Sequence, residues 1–221
     1  MTARRLRLLL TGFGPFPGAP FNPTPALVTR LLLLRRPALA ELDRIGHVFE
    51  VSYGAVDREL PTLLRAHAPD AMLMFGLAQR TPFIRIERRA RNTVTALWPD
   101  AARRRGAHAS LAPGGADALL FGGHTDQLLC ASRQSGAWTE PSRDAGRYLC
   151  NYLSWRAIEA TRVSDGPTLA AFVHVPLVAR APFSRRPSPV RRVDFEELVD
   201  AGEAMMLAMI RLTRQQLLAS G

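Results

Sequence analysis

One cysteine and one histidine hold the strongest chemistry in this chain. Cys150 sits in the run Ala145-Gly146-Arg147-Tyr148-Leu149-Cys150-Asn151-Tyr152, at the start of an amphipathic pattern, and His174 closes an apolar stretch just before Pro176. A thiol becomes a nucleophile when it ionises. The positive end of a helix and a nearby imidazole can lower its pKa from about 8.5 to about 3.5–7.5. Glu87 lies in a segment whose alternation puts Ile84 and Ile86 on one face and Arg85, Glu87 and Arg89 on the other. A thiol, an imidazole and a carboxyl brought together supply a nucleophile, its base and the group that orients the base. Cys130 has no accompanying motif and reads as a structural residue, and His47, His67, His108 and His124 belong to no such constellation.

Positioning those groups requires a scaffold, and the apolar pattern supplies one. Residues 6–10 read as a buried strand, 25–34 as a helix with Pro25 in its first turn, 45–53 as a strand, 56–67 as a helix and 71–76 as a third, fully buried strand. Residues 100–125, rich in glycine, read as a long loop or hairpin excursion. Leu149, Leu153, Ala157 and Ala160 recur at helical spacing, 169–175 is another buried strand, and 194–218 is a long amphipathic helix with Asp194 as its cap. This β-α-β rhythm predicts the α/β class. The expected form is a single domain over 1–221, an open, mostly parallel twisted sheet with helices on both faces, hence three layers α/β/α. In such sheets sites form beyond the carboxyl ends of the strands, and Phe13, Glu87, Cys150 and His174 all fall at strand ends or helix starts.

Composition excludes other classes. With 221 residues and 47% hydrophobic content, the chain can bury about 70% or more of its unfolded surface. Two cysteines without metal-ligand spacing make neither a disulfide framework nor a zinc site, which points to reduced thiols in the cytoplasm. The apolar run near the N-terminus breaks at Thr11-Gly12, too short for a signal peptide, and 31–34 is far short of the roughly 20 residues that span a bilayer. Net charge +10 raises nucleic-acid binding as a possibility, but all 29 basic residues are arginine and they are scattered. Only Arg103-Arg104-Arg105 forms a run, without interleaved aromatics, so the arginines read as solvated surface charge and no nucleic-acid partner is expected.

Four blocks together carry a family likeness: Thr11-Gly12-Phe13-Gly14-Pro15-Phe16 with Asn22-Pro23; Phe75-Gly76-Leu77-Ala78 with Ile86-Glu87-Arg88 and Asn92; the Ala145-to-Asn151 block; and Val173-His174-Val175-Pro176. In this order and spacing the chain resembles the pyroglutamyl peptidase I family of cytoplasmic cysteine peptidases. The resemblance implies Cys150 as nucleophile, His174 as general base, Glu87 as third member, and Phe13 and Phe16 as the wall of an apolar pocket for the pyroglutamyl ring. It also implies pyroglutamyl peptides as substrates, no metal or organic cofactor, and a homo-oligomer, dimer or tetramer.

The chain departs from the family pattern in places. Leu97 stands where the family commonly has an arginine near the active site, which bears on efficiency or substrate preference, and Leu77 stands where many members have glutamine. Asp144 replaces a small neutral residue; a carboxylate near a thiolate raises the thiol's pKa, with Arg143 and Arg147 the adjacent cations that could offset it. Residues 101–134 match the family poorly. Two further readings follow: a related thiol amidohydrolase of altered specificity, motivated by Leu97, and a catalytically silent basic protein that binds a polyanion. The second accounts for the charge but not for the four blocks.

Overall fold

The structure is a computed structural model that describes residues 4–16, 18–95, 97–105, 109–178 and 193–220. The order along the chain is β1 (Leu6–Phe13), α1 (Thr24–Leu33), β2 (Leu42–Phe49), α2 (Tyr53–His67), β3 (Ala71–Leu77), β4 (Ile84–Glu87), β5 (Arg89–Arg91), β6 (Ala118–Leu120), α3 (His124–Gln134), β7 (Thr139–Ser142), α4 (Leu149–Ala160), β8 (Leu169–Val175) and α5 (Phe195–Ser220). Six strands form one sheet in the order β2-β1-β3-β8-β4-β7, and β5 pairs with β6 in a separate ribbon. Pairing is parallel from β2 through β8, antiparallel between β8 and β4, and parallel again between β4 and β7. The expected mostly parallel sheet with helices on both faces is therefore what these residues form.

Alternation along the central strands builds a core on each face. Leu8 and Leu10, Leu73 and Phe75, and Ala171 and Val173 pack against α1, α3 and α5. The intervening Leu9, Met72, Met74, Ala170 and Phe172 pack against α2 and α4, with Trp155 and Leu153 filling that side. Continuing the second series by one step reaches Gly76 on β3 and His174 on β8, paired in register at the sheet's carboxyl end. His174 thus faces α4, the helix that carries Cys150.

Several element bounds differ from the sequence expectation. The second strand starts earlier, at Leu42, and stops at Phe49, because Ser52 turns to cap α2, its hydroxyl accepting from Ala55 N at 3.1 Å. Within the expected 100–125 loop, β6 pairs back onto β5, which fits the hairpin reading, and α3 begins at His124. Neither α3 nor β7 was signalled by an apolar pattern. β7 contains Pro141, tolerated because among the described residues the strand lies at the sheet's edge and pairs only with β4. The Asp194 cap is present as a reciprocal box: Asp194 Oδ1 accepts from Glu197 N at 2.8 Å, and Glu197 Oε2 accepts from Asp194 N at 2.9 Å. No helix among the described residues is long and apolar enough to cross a membrane.

Candidate active site

Cys150 is the second residue of α4, and the loop before it is shaped to deliver it there. Gly146 adopts φ +83°, a left-handed turn that strains any residue with a side chain, and its N–H donates to Asp144 Oδ1 at 3.0 Å. Asp144 N in turn donates to Ser142 Oγ at 3.2 Å. Tyr148 then enters α4 in extended backbone, and no side chain caps the helix. The first-turn amides around Cys150 consequently have no side-chain partner among the described residues, at the end of the helix that favours negative charge. Asn151, fully buried behind Cys150, accepts from Arg91 N at 2.7 Å and donates to the carbonyls of Arg91 and Thr93 at 2.8 and 3.0 Å. That three-way grip holds β5 against α4.

Glu87 and His174 come together because β4 runs antiparallel to β8 with Arg85 opposite His174. Ile84 and Ile86 enter the α1/α3/α5 core, so Arg85 and Glu87 share the opposite face with His174, as alternation predicts. Glu87 is 0% exposed, a buried carboxylate rather than a surface one. His174 Nδ1 lies 2.7 Å from Glu87 Oε1, which fixes the proton on Nδ1 and leaves Nε2 for the hydrogen bond with Cys150. The Phe172 ring packs edge-on against the imidazole at 5.1 Å.

The charges of this trio are coupled. Burial pulls the His174 pKa down, but the charge and hydrogen bond of Cys150, followed by those of Glu87, outweigh it and push the imidazole up to about 9. For Glu87 burial likewise works against the charged form, yet the hydrogen bond and charge of His174, followed by the Ser142 hydroxyl and then Arg85, hold its carboxyl below the usual carboxylate range. Both shifts favour the charged forms, an imidazolium beside a carboxylate.

Cys150 and His174 open into a cavity of about 420 Å³ whose wall includes Phe13, Phe16, Val51 and Leu77. Phe13 is held from behind, its N–H donating to Thr24 Oγ1 at 3.0 Å and its carbonyl accepting from Asn22 Nδ2 at 2.8 Å. Asn22 thus spends its amide on the chain, and the motif residues 22–24 act by fixing the 11–16 loop. Phe16 meets the Tyr148 ring at a centroid distance of 6.5 Å. Gly76 completes the site by what it lacks, since a Cβ there would lie 2.7 Å from Cys150 Sγ and 2.7 Å from Phe172 Cζ.

The departures resolve individually. Leu97 is 80% exposed and outside the cavity wall; Arg80 and Arg85 line the cavity, and Arg85, whose place there the sequence does not announce, hydrogen-bonds Glu87. A partial signal existed, because alternation put Arg85 on the Glu87 face. Asp144 lines the cavity, but its carboxylate turns to Arg91 at 3.5 Å, so neither Arg143 nor Arg147 is its partner. Cys130 is exposed on α3, His47 pairs with Glu59, and His124 is buried against the Ala170 carbonyl. His108 lies outside the described residues.

Comparison with known proteins identifies the family and the fold. A family model for pyroglutamyl peptidase matches residues 6–211. The chain is 28% identical over 173 residues to the pyrrolidone-carboxylate peptidase of Pyrococcus furiosus, covering 78% of this chain and 82% of that one. It is 30% identical over 172 residues to that of Gloeobacter violaceus, covering 77% and 82%. In fold it superposes on the crystal structure of pyrrolidone carboxyl peptidase from Fervidobacterium islandicum with a TM-score of 0.82 at 24% identity, over 93% of this chain and 99% of that one. With the match running from the first strand into the last helix, the chain belongs to the pyroglutamyl peptidase family.

Proposed function

We propose that this protein removes N-terminal pyroglutamate from peptides through a thioester at Cys150. The observation that carries the reading is the buried Glu87–His174 pair hydrogen-bonded to a thiol at a helix N-terminus, opening into a cavity walled by Phe13 and Phe16. Cys150 Sγ, as thiolate, attacks the carbonyl carbon that follows the five-membered ring, and the oxyanion takes hydrogen bonds from the free amides of the first turn of α4. As the C–N bond breaks, His174 gives its proton to the departing amine nitrogen, leaving a thioester and a neutral imidazole. His174 then takes a proton from water as the water oxygen attacks the thioester. Collapse expels the thiolate and releases pyroglutamate, restoring the starting charges.

Specificity follows from the wall. A lactam ring is neutral and flat enough to lie against Phe13 and Phe16, whereas an ordinary peptide would have to bury its ammonium there. The test is release of a chromogenic amine from pyroglutamyl, prolyl and glutamyl amides. Turnover of the pyroglutamyl amide is expected to exceed the other two by at least about 10²-fold. Comparable turnover of the prolyl amide would overturn the substrate assignment and favour an amidohydrolase of different specificity.

Gly76 provides a second test, independent of ionisable groups. Gly76→Ala pushes a methyl into Cys150 Sγ and Phe172, and displacing a nucleophile by about 1 Å costs about 10²-fold in rate. Overpacking at this depth costs about 1–3 kcal/mol in stability. We expect kcat/KM to fall by about 10²-fold while the folded state persists by circular dichroism. An unchanged kcat/KM would show that the thiol does not occupy this position during turnover.

A further inference from the structure

Arg85 Nη2 lies 3.0 Å from Glu87 Oε1, 3.1 Å from the Asp144 carbonyl oxygen and 3.2 Å from His174 Nδ1. This nitrogen carries two hydrogens, and two of its three neighbours are acceptors in the resting charge state. His174 Nδ1 is committed as donor to Glu87 Oε1, so the guanidinium and the imidazole both give a hydrogen to one carboxylate oxygen. The other Arg85 Nη2 hydrogen goes to Asp144. Asp144 belongs to the loop whose Gly146 turn leads into α4, so Arg85 ties the strand bearing Glu87 to the segment that delivers Cys150.

We propose that Arg85 is a positioning residue of the catalytic pair, one that pins Glu87 to the Cys150 loop and, as a fixed cation beside the imidazole, sets the pH above which His174 loses its proton. The groups facing His174 are Cys150 from α4, Glu87 and Arg85 from β4, and from β3 the uncharged Gly76. Asp144 offers only its carbonyl, its carboxylate being turned to Arg91. A like charge at this range disfavours the imidazolium, and Arg85 also draws on the Glu87 charge that supports it. Removing the cation therefore moves the alkaline limit upward. The side chain is 22% exposed, so water screens part of the effect.

This proposal rests on Cys150 and His174 as the reacting pair, and its test carries a readout that does not depend on peptide turnover. Arg85→Gln and Arg85→Lys are made in a Cys130→Ser background, which leaves Cys150 as the sole thiol. The pH dependence is measured for kcat/KM with a pyroglutamyl amide and, separately, for alkylation of Cys150 by iodoacetamide. In Arg85→Gln the upper inflection is expected to rise by about 0.5–1 pH unit in both profiles, with kcat reduced about tenfold as the loop loses its tether. Arg85→Lys keeps the charge but loses the guanidinium fork and its reach, so its inflection stays within about 0.3 unit of the parent while kcat falls to a similar extent. An unmoved inflection in Arg85→Gln overturns the proposal whatever happens to kcat. Should Arg85→Gln not fold, Arg85→Lys with the parent's kcat overturns it instead. If the parent alkylates normally but releases no pyroglutamate, the substrate reading fails and the alkylation profiles still decide the role of Arg85.

Discussion

Replacing Cys150 by serine is expected to lower kcat/KM for a pyroglutamyl amide by about 10⁵- to 10⁶-fold, to the assay background. The change is nearly isosteric, so the effect comes from chemistry. A hydroxyl does not ionise beside His174 at neutral pH, and the imidazole loses the neighbour that contributes most to keeping it protonated. Burial then dominates, and the His174 titration seen by NMR should fall from about 9 in the parent to a lower value in Cys150→Ser. That second readout separates loss of the nucleophile from damage to the fold, in which the His174–Glu87 contact would itself disappear. Cys130→Ser is the control: exposed on α3 and away from the cavity wall, it should leave kcat/KM unchanged. Parent-like activity in Cys150→Ser would falsify the thioester route outright.

How far the sequence foretold this site depends on the kind of signal each residue carried. The strand Leu169–Val175 is a continuous apolar run and its bounds match the expectation, since full burial on both faces admits little else. Placing Glu87 opposite Ile84 and Ile86 needed only a period of two. What that period cannot give is register: nothing local says that Arg85 pairs across the sheet with His174, because the two are 89 residues apart and the pairing direction reverses there. Asp144 shows the same limit. Its cation is Arg91, brought near by the β5–α4 contact, while sequence adjacency pointed to Arg143 and Arg147. The glycine at 76 was visible as part of a motif, but its reason, the clearance for a sulfur delivered by another element, exists only in three dimensions. α3 and β7 lacked a strong apolar period because each is covered on one side only or sits at an edge, where polar residues and Pro141 are tolerated.

Glu87→Gln should be nearly as damaging as loss of the thiol, for a different reason. The amide keeps the shape and can still accept from Nδ1, but it brings no charge, and the corresponding acid-to-amide change in a serine-protease triad costs about 10⁴ in kcat. Here the loss is compounded by Arg85, whose guanidinium would stand 3.2 Å from the imidazole without the carboxylate that now separates their charges. The sign of the pH effect follows. His174 is raised to about 9 in the folded protein, so its support for the folded state is complete below the unfolded value near 6.5 and is lost as pH rises through about 9. Glu87 is held below its usual range, so its support is present above about 4.3 and is lost as pH falls through the lowered value. Removing the carboxylate therefore shifts the alkaline limb of kcat/KM downward from about 9, opposite to the shift expected for Arg85→Gln, and abolishes the acid-side loss of stability that Glu87 contributes. Measured together as pH–rate profiles, the two variants must bracket the parent. If both limbs moved the same way, the oxygen they share would not be what holds the proton on His174.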